Sequence, residues 1–294
     1  MADQKLSVRV CTILTSVLVV ITLSPIALLV LSSFTDEQEI VSSGYTLFPK
    51  KWSLDSYVYM IKQGSTIFRA YAISIVVTVV GTAVSVLLTT MLAYPMSRKS
   101  FKARNALSFL VFFTMLFNGG IVPSYIMWTG TFHIKDTIFA QLLPNFLLSA
   151  WNVMMIRTYF TTSIPDGLYE AAEIDGASQF TIFWKIVLPL GKPILVTMGT
   201  FAGLAYWNDW TNGLYYIVKN TGLYNVQNLL NQMVQNIQFL TQSSNSNVTA
   251  AASTIPATGI QMAIAFVAIL PIMLIFPSFQ KYYAKGIALG AVKG

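Results

Sequence analysis

Six apolar stretches divide this chain, each near the ~20 residues that cross ~30 Å of hydrocarbon at ~1.5 Å per residue. They run approximately from Val10 to Phe34, Phe68 to Met96, Ala106 to Trp128, Thr137 to Tyr159, Leu190 to Val218 and Ile255 to Tyr283. Each is read as one membrane-spanning helix. Lys5 and Arg9 ahead of the first stretch suit a signal peptide, but the apolar run outlasts the ~7 to 15 residues of such a core and no Ala-x-Ala site follows. A retained first helix is the reading. Between the first two stretches, residues 35–67 are polar and amphipathic, with Asp36, Glu37, Glu39, Pro49, Lys50, Lys51 and Trp52, and predict short interfacial helices. The Asn-, Gln- and Ser-rich stretch from Asn220 to Thr254 predicts a helix near Val226 to Leu240 and then a flexible loop.

Composition agrees with the pattern. Of 294 residues, 55% are hydrophobic and 10% charged, against about 25% charged in ordinary globular chains. The expected fold class is all-α integral membrane, one transmembrane domain over residues 1–294. A single Cys (Cys11) and a single His (His133) exclude an intramolecular disulfide and argue against a zinc site or a Cys-His nucleophile. The net charge of +7 would suggest nucleic acid only if it formed a face or tail. Instead it sorts by side. With a cytoplasmic N-terminus and six crossings, the inner segments hold Lys5, Arg9, Arg98, Lys99, Lys102, Arg104, Arg157, Lys185, Lys192, Lys281, Lys285 and Lys293. That is twelve of the 18 basic residues, and the short Ser97 to Arg104 loop carries four cations and no anion. The bias supports N-in, C-in, and no nucleic acid is expected as partner.

No phosphate-binding G-x-x-x-x-G-K-[ST], G-x-G-x-x-G or H-E-x-x-H motif is present, so this chain does not hydrolyse a nucleotide alone. The inner segment 163–189 is the most informative. Ser163 can cap a helix, Pro165 suits its first turn and Asp166 complements its dipole. The helix continues through Leu168, Tyr169, Ala171, Ala172 and Glu173 to a break at Asp175-Gly176. Ser178 can cap a second, apolar helix that Pro189 closes. Two short helices meeting at a glycine make a cytoplasmic knob for a partner to grip.

Glu170-Ala171-Ala172, three residues, Gly176, nine residues, Ile186, one residue, then Leu188-Pro189 resembles the EAA loop of binding-protein-dependent ABC importer permeases. The likeness extends from about residue 68 to the C-terminus, with a core of about 68–283, and the six-span plan resembles carbohydrate permeases of the maltose-permease type. Asn118 to Tyr125 (NGGIVPSY) and Gly286 to Gly294 (GIALGAVKG) look like the subgroup associated with oligosaccharides and polysaccharide fragments. The resemblance implies the type I importer permease fold in a bacterial cytoplasmic membrane and a second, homologous permease subunit. It also implies two ATPase subunits that use ATP and Mg, an extracytoplasmic solute-binding protein, and no cofactor on this chain. Glu170, Ala171, Ala172, Glu173, Asp175, Gly176 and Ala177 would form the ATPase contact, small residues allowing close approach and carboxylates meeting basic groups.

The fifth stretch holds Tyr206, Trp207, Asn208, Asp209, Trp210 and Asn212, with Tyr215 and Tyr216 beyond. Asp209 is the one carboxylate inside the six stretches, and ionisable residues there usually face a bundle interior or a water-filled cavity. Carboxylate, amides and ring faces suit a sugar. Equally, Trp and Tyr gather in interfacial belts, and Asp209 could hold a neighbouring helix. Asn118, Gln141, Asn145 and Asn152 are further path candidates, and Pro144, Pro193 and Pro271 predict kinks. An intramembrane enzyme using Asp209 or Asp136, and an importer of a non-sugar solute, are the competing readings.

Overall fold

A computed structural model describes residues 2–62, 64–242 and 257–291, with side chains for 7–62, 64–236, 258–275 and 277. Among the described residues the elements are helical: α1 (Ala2–Ser33), α2 (Glu37–Ser43), α3 (Asp55–Lys62) and α4 (Gly64–Ser97). There follow α5 (Arg104–Leu116), α6 (Ile121–Thr131), α7 (Phe139–Leu142), α8 (Ala150–Ser163) and α9 (Asp166–Ile174). The last are α10 (Gln179–Leu190), α11 (Lys192–Trp207), α12 (Thr211–Tyr216), α13 (Val226–Gln242) and α14 (Ala257–Ala291).

The expected first, second and sixth spans are continuous helices, and three helices among the described residues are long and apolar enough to cross a membrane. The middle spans depart from the prediction. The third is a pair, α5 and α6, bent by 113°, because Asn118 Oδ1 accepts the Gly120 N–H at 2.8 Å in a local turn and Gly120 takes φ 87°, a region open to glycine. The fourth splits into α7 and α8 around Pro144 and Asn145, the latter at φ 68°. The fifth splits into α11 and α12 at Asn208 to Trp210. The chain tail with Lys281, Lys285 and Lys293 and the loop after α13 fall where side chains or placement lie outside the described residues.

The chain forms two compact units, residues 1–67 with 229–272, and 68–228 with 273–294. In the first, the short helices expected between spans are present, anchored by carboxylates on backbone donors. Asp36 caps α2 through the Gln38 N–H, and Glu39 accepts the N–H groups of Lys50 and Lys51 at 2.7 and 2.6 Å. These donors hold the Glu39 carboxyl below its ordinary range, the Lys50 N–H foremost. Glu37 reaches the start of α14, accepting the Thr258 and Gly259 N–H groups at 3.0 and 2.8 Å, and so serves two of the donors that a helix leaves unpaired there.

In the second unit, α4 and α11 approach through small residues, the usual way helices pack where hydrophobic exclusion is weak. A Cβ on Gly203 would stand 3.3 Å from Thr82 Oγ1, and one on Gly81 only 2.6 Å from the Tyr206 ring. Toward the knob end, Met96, Ile156, Phe160, Ile164, Tyr169, Ile182, Phe183, Val187 and Ile194 form one core. A Cβ on Gly191 would lie 2.6 Å from the Phe160 ring, and there the chain turns by 80° from α10 into α11.

Gly81→Ala should therefore displace the buried Tyr206 ring and cost about 1 to 3 kcal/mol, read as a lower melting temperature of the purified chain. Gly130→Ala, whose methyl group meets open space, should leave the melt unchanged.

Candidate functional site

The knob begins where α8 ends. Ser163 is the last residue of α8 and does not cap α9 as its position in the pattern predicts; the buried Ile164, extended, ends α8 directly after it. Pro165 occupies the capping position at φ −61°, ψ 138°, without a side-chain bond, and Asp166 opens the helix. The predicted break falls at Asp175-Gly176, where the N–H groups of Asp175, Gly176 and Ala177 close on the carbonyls of Ala171, Glu173 and Ala172 and Gly176 takes φ 74°. Ser178 caps α10, accepting the Thr181 N–H at 3.2 Å. Pro189 does not close α10. The run passes through a π-helical turn at Phe183–Val187 and ends at Leu190, with the bend at Gly191.

α9 has two faces. Tyr169 and Ala172 pack into the core, while Glu170, Ala171, Asp175 and Gly176 are exposed and Ala177 is half-buried. Ala172 therefore touches this chain's own core, since it shares a helix face with Tyr169. Glu173 is engaged as well: its Oε1 accepts Arg98 Nη2 at 2.7 Å and Gln179 Nε2 at 3.0 Å. Gln179 Oε1 in turn accepts the Tyr94 hydroxyl at 2.6 Å. Arg98, 8% exposed, lays its guanidinium 3.7 Å over the Tyr169 ring. Burial pushes the Tyr169 phenol up to about 12, partly opposed by that cation. Lys99 Nζ reaches Asp166 at 2.6 Å, holding the Asp166 carboxyl low. In the sequence, the cations of loop 97–104 carry only an orientation signal. Four cations and four loop carboxylates assigned to one side were the available clue to their pairing.

The polar residues of the broken fifth span close on backbone. Asp209, buried, accepts the Thr211 and Asn212 N–H groups at 3.0 and 3.3 Å and the Thr211 hydroxyl at 2.7 Å. Asn212 donates to the Pro144 carbonyl at 3.1 Å and accepts from Asn145 at 3.3 Å. Tyr206 donates to the Leu142 carbonyl at 2.8 Å. Asn225 donates to Gln141 Oε1 and to the Asp209 carbonyl, Gln141 donates to the Leu223 carbonyl, and Asn228 donates to the Trp210 carbonyl. Trp207 and Asn152 are buried; Asn208, Trp210 and Asn118 are exposed. Asn225 and Asn228 were not singled out from sequence, because a polar residue outside the apolar stretches carries no signal of burial.

Asp136, the other carboxylate considered for catalysis, sits at φ 57° and accepts the N–H groups of Val218, Lys219 and Asn220 at 2.7, 2.7 and 3.2 Å. These donors, Asn220 foremost, lower its pKa. It is a clamp on a turn, with all three N–H groups converging on Oδ1. Among the described residues no three His, Cys, Asp or Glu side chains gather to hold a metal.

The family of binding-protein-dependent transport system inner membrane components matches residues 85–289. The chain belongs to this family. Protein LplC of Bacillus subtilis (strain 168) is 36% identical over 274 residues, 93% of this chain and 90% of that one. The polygalacturonan/rhamnogalacturonan transport system permease protein YtcP of the same strain is 36% identical over 270 residues, 92% of each. A chain of a crystallised bacterial ABC transporter involved in import of the acidic polysaccharide alginate superposes with a TM-score of 0.80 at 24% identity, covering 96% of this chain and 98% of its own, which shows the fold. This permease is thus a transporter subunit and not an enzyme.

Two outcomes follow from the permease's charges. Asp136 has a lowered folded pKa, so its contribution is present above the ordinary carboxylate range and lost as pH falls through the folded value. Unfolding followed between neutral and acidic pH should show a slope that Asp136→Asn reduces. Arg98→Ala removes an ion pair and a ring contact and should cost about 2 kcal/mol in denaturation, with little further loss on adding Glu173→Gln.

Proposed function

We propose that this permease imports a carbohydrate, an oligosaccharide or polysaccharide fragment, by alternating access across a bacterial cytoplasmic membrane. The observation that carries the mechanism is the two-faced α9. Glu170, Ala171 and Asp175 stand exposed on its outer face, while Tyr169, Ala172 and Glu173 bind it to the rest of the unit. A partner ATPase gripping the outer face would move α9 without bending it, and the ion pair and core would carry that movement into α4 and α11. The partners are two ATPase subunits that use ATP and Mg, a solute-binding protein, and a second, homologous permease. The cargo reading is supported by the names of relatives such as YtcP, which is 36% identical.

Six crossings with both ends cytoplasmic remain part of the proposal. Two contacts support it within the second unit. Arg98 and Lys99 meet Glu173 and Asp166, as segments assigned to one side should, and Asp136 meets residues 218–220, both assigned to the opposite side. In the first unit, Glu37 meets residues 258–259 in the same way. Of the path candidates, Asn208 and Trp210 are proposed to line the route, with Tyr206, Asp209 and Asn212 bonded to the backbone that places them and Trp207 buried.

The test is Glu170→Lys. Uptake of labelled oligogalacturonide into vesicles carrying the full importer should fall by about tenfold or more, a loss of ~1.4 kcal/mol in coupling, and copurification of the ATPase should weaken. Uptake and assembly at unchanged levels would remove α9 as the contact. Uptake of amino acids in place of saccharides would move the cargo to another class.

A further inference from the structure

Three helices of the second unit start at the knob end and stop short. α5 runs 13 residues from Arg104, α8 runs 14 residues back from Ser163, and α11 runs 16 residues from Lys192. At ~1.5 Å per residue these reach about 20, 21 and 24 Å, inside an apolar layer ~30 Å thick. A helix that breaks there leaves N–H and C=O groups unpaired. Lipid offers them no partner, so such backbone persists only where protein covers it or water reaches it.

Two of the breaks are served from within the unit. Around residues 142–146, Tyr206 donates to the Leu142 carbonyl, Asn212 to that of Pro144 and Ser85 to that of Phe146, at 2.8, 3.1 and 3.1 Å. At residues 209–212, Asp209 caps the next turn and Asn225 and Asn228 bind the Asp209 and Trp210 carbonyls at 2.7 and 2.6 Å. The break between α5 and α6 differs. Its side-chain bonds are local, Asn118 to the Gly120 N–H and Ser124 to the Gly120 carbonyl. Asn118, Gly119 and Gly120 are exposed, a Cβ on either glycine would meet nothing within 4 Å, and α5 and α6 hold no buried residue. The hydrogen-bonding demand of this break is therefore left to something outside the unit.

We propose that the break at residues 117–120 lines the water-filled path through the importer and that Asn118 contacts the passing saccharide. Water meets the backbone demand directly. Just before Asn118 in the chain, Phe117 stacks on Phe113 at 4.3 Å between centroids, and the two rings stand 63% and 42% exposed. Amide and backbone groups suit sugar hydroxyls, and ring faces suit the C–H side of a pyranose. The saccharide contact rests on the carbohydrate reading; the water lining does not. A second permease seated over the break is the competing arrangement.

The test uses the full importer in vesicles. Cys11→Ser removes the one native cysteine, Asn118→Cys places a thiol at the break, and the probe is a sulfonated maleimide that does not cross lipid. Because the reagent needs a solvated thiolate, the double variant should label on this chain, while its Cys11→Ser parent, which holds no thiol, should not. Oligogalacturonide with the binding protein and ATP should slow that labelling. Labelling in the isolated, detergent-solubilised chain but not in the importer would mean that a partner covers the break and would overturn the proposal. So would labelling only after denaturation. Labelling that oligogalacturonide leaves unchanged, in an importer whose parent takes that saccharide up, overturns the contact and upholds the water lining. A parent that takes up no saccharide removes the carbohydrate reading, and the labelling rate still decides the path.

Discussion

A backbone N–H or C=O away from water must find a partner inside the protein, and the middle of this chain is built around that demand. Continuous helices meet it automatically, as α1, α4 and α14 do. The middle segments do not, because α5, α8 and α11 are only 13, 14 and 16 residues long and each gives way to a break. Asp209, Asn212, Asn225, Asn228 and Tyr206 then serve as substitute partners, each aimed at a carbonyl or N–H that a broken helix exposes, and Gln141 binds the Leu223 carbonyl in a neighbouring turn. Polar side chains in an apolar segment read most simply as ligand contacts, yet most of these are spent on backbone. Asn208, Trp210 and Asn118 are the ones left exposed.

The same economy governs charge. Arg98 and Lys99 lie in the loop whose four cations and lack of anions give the sequence its strongest orientation signal, and in the folded unit they neutralise Glu173 and Asp166. The same residues thus fasten the knob. The Arg98 contact to the Tyr169 ring places a cation over an aromatic face with little water between, where such a contact is stronger than at an open surface. α9 is in consequence tied on its inner face by packing and charge together, and a force on its outer face has a stiff route into α4.

Much of the knob was legible because its signals are local. Asp166 at the start of α9, Gly176 at its end and Ser178 before α10 each act through bonds to residues within a few positions, so sequence spacing carries them. Ser163 and Pro189 misled for the same reason in reverse: each has a strong local preference that packing overrode, α8 extending through Ser163 and a π-helical turn carrying α10 past Pro189. The family likeness was legible in the EAA spacing, and the match over residues 85–289 bears it out.

Hydropathy alone determined that lipid is the solvent for most of this chain, and local spacing determined a two-helix knob with an exposed glutamate, because both depend on residue type and near neighbours. Tertiary structure decided where the middle spans break and which residues repair the breaks. A window of apolar residues has the same mean hydropathy whether its helix is straight or bent. The break around Pro144 and Asn145 becomes tolerable only when Ser85, Tyr206 and Asn212, far from it along the chain, arrive to take up the freed carbonyls of residues 142, 144 and 146.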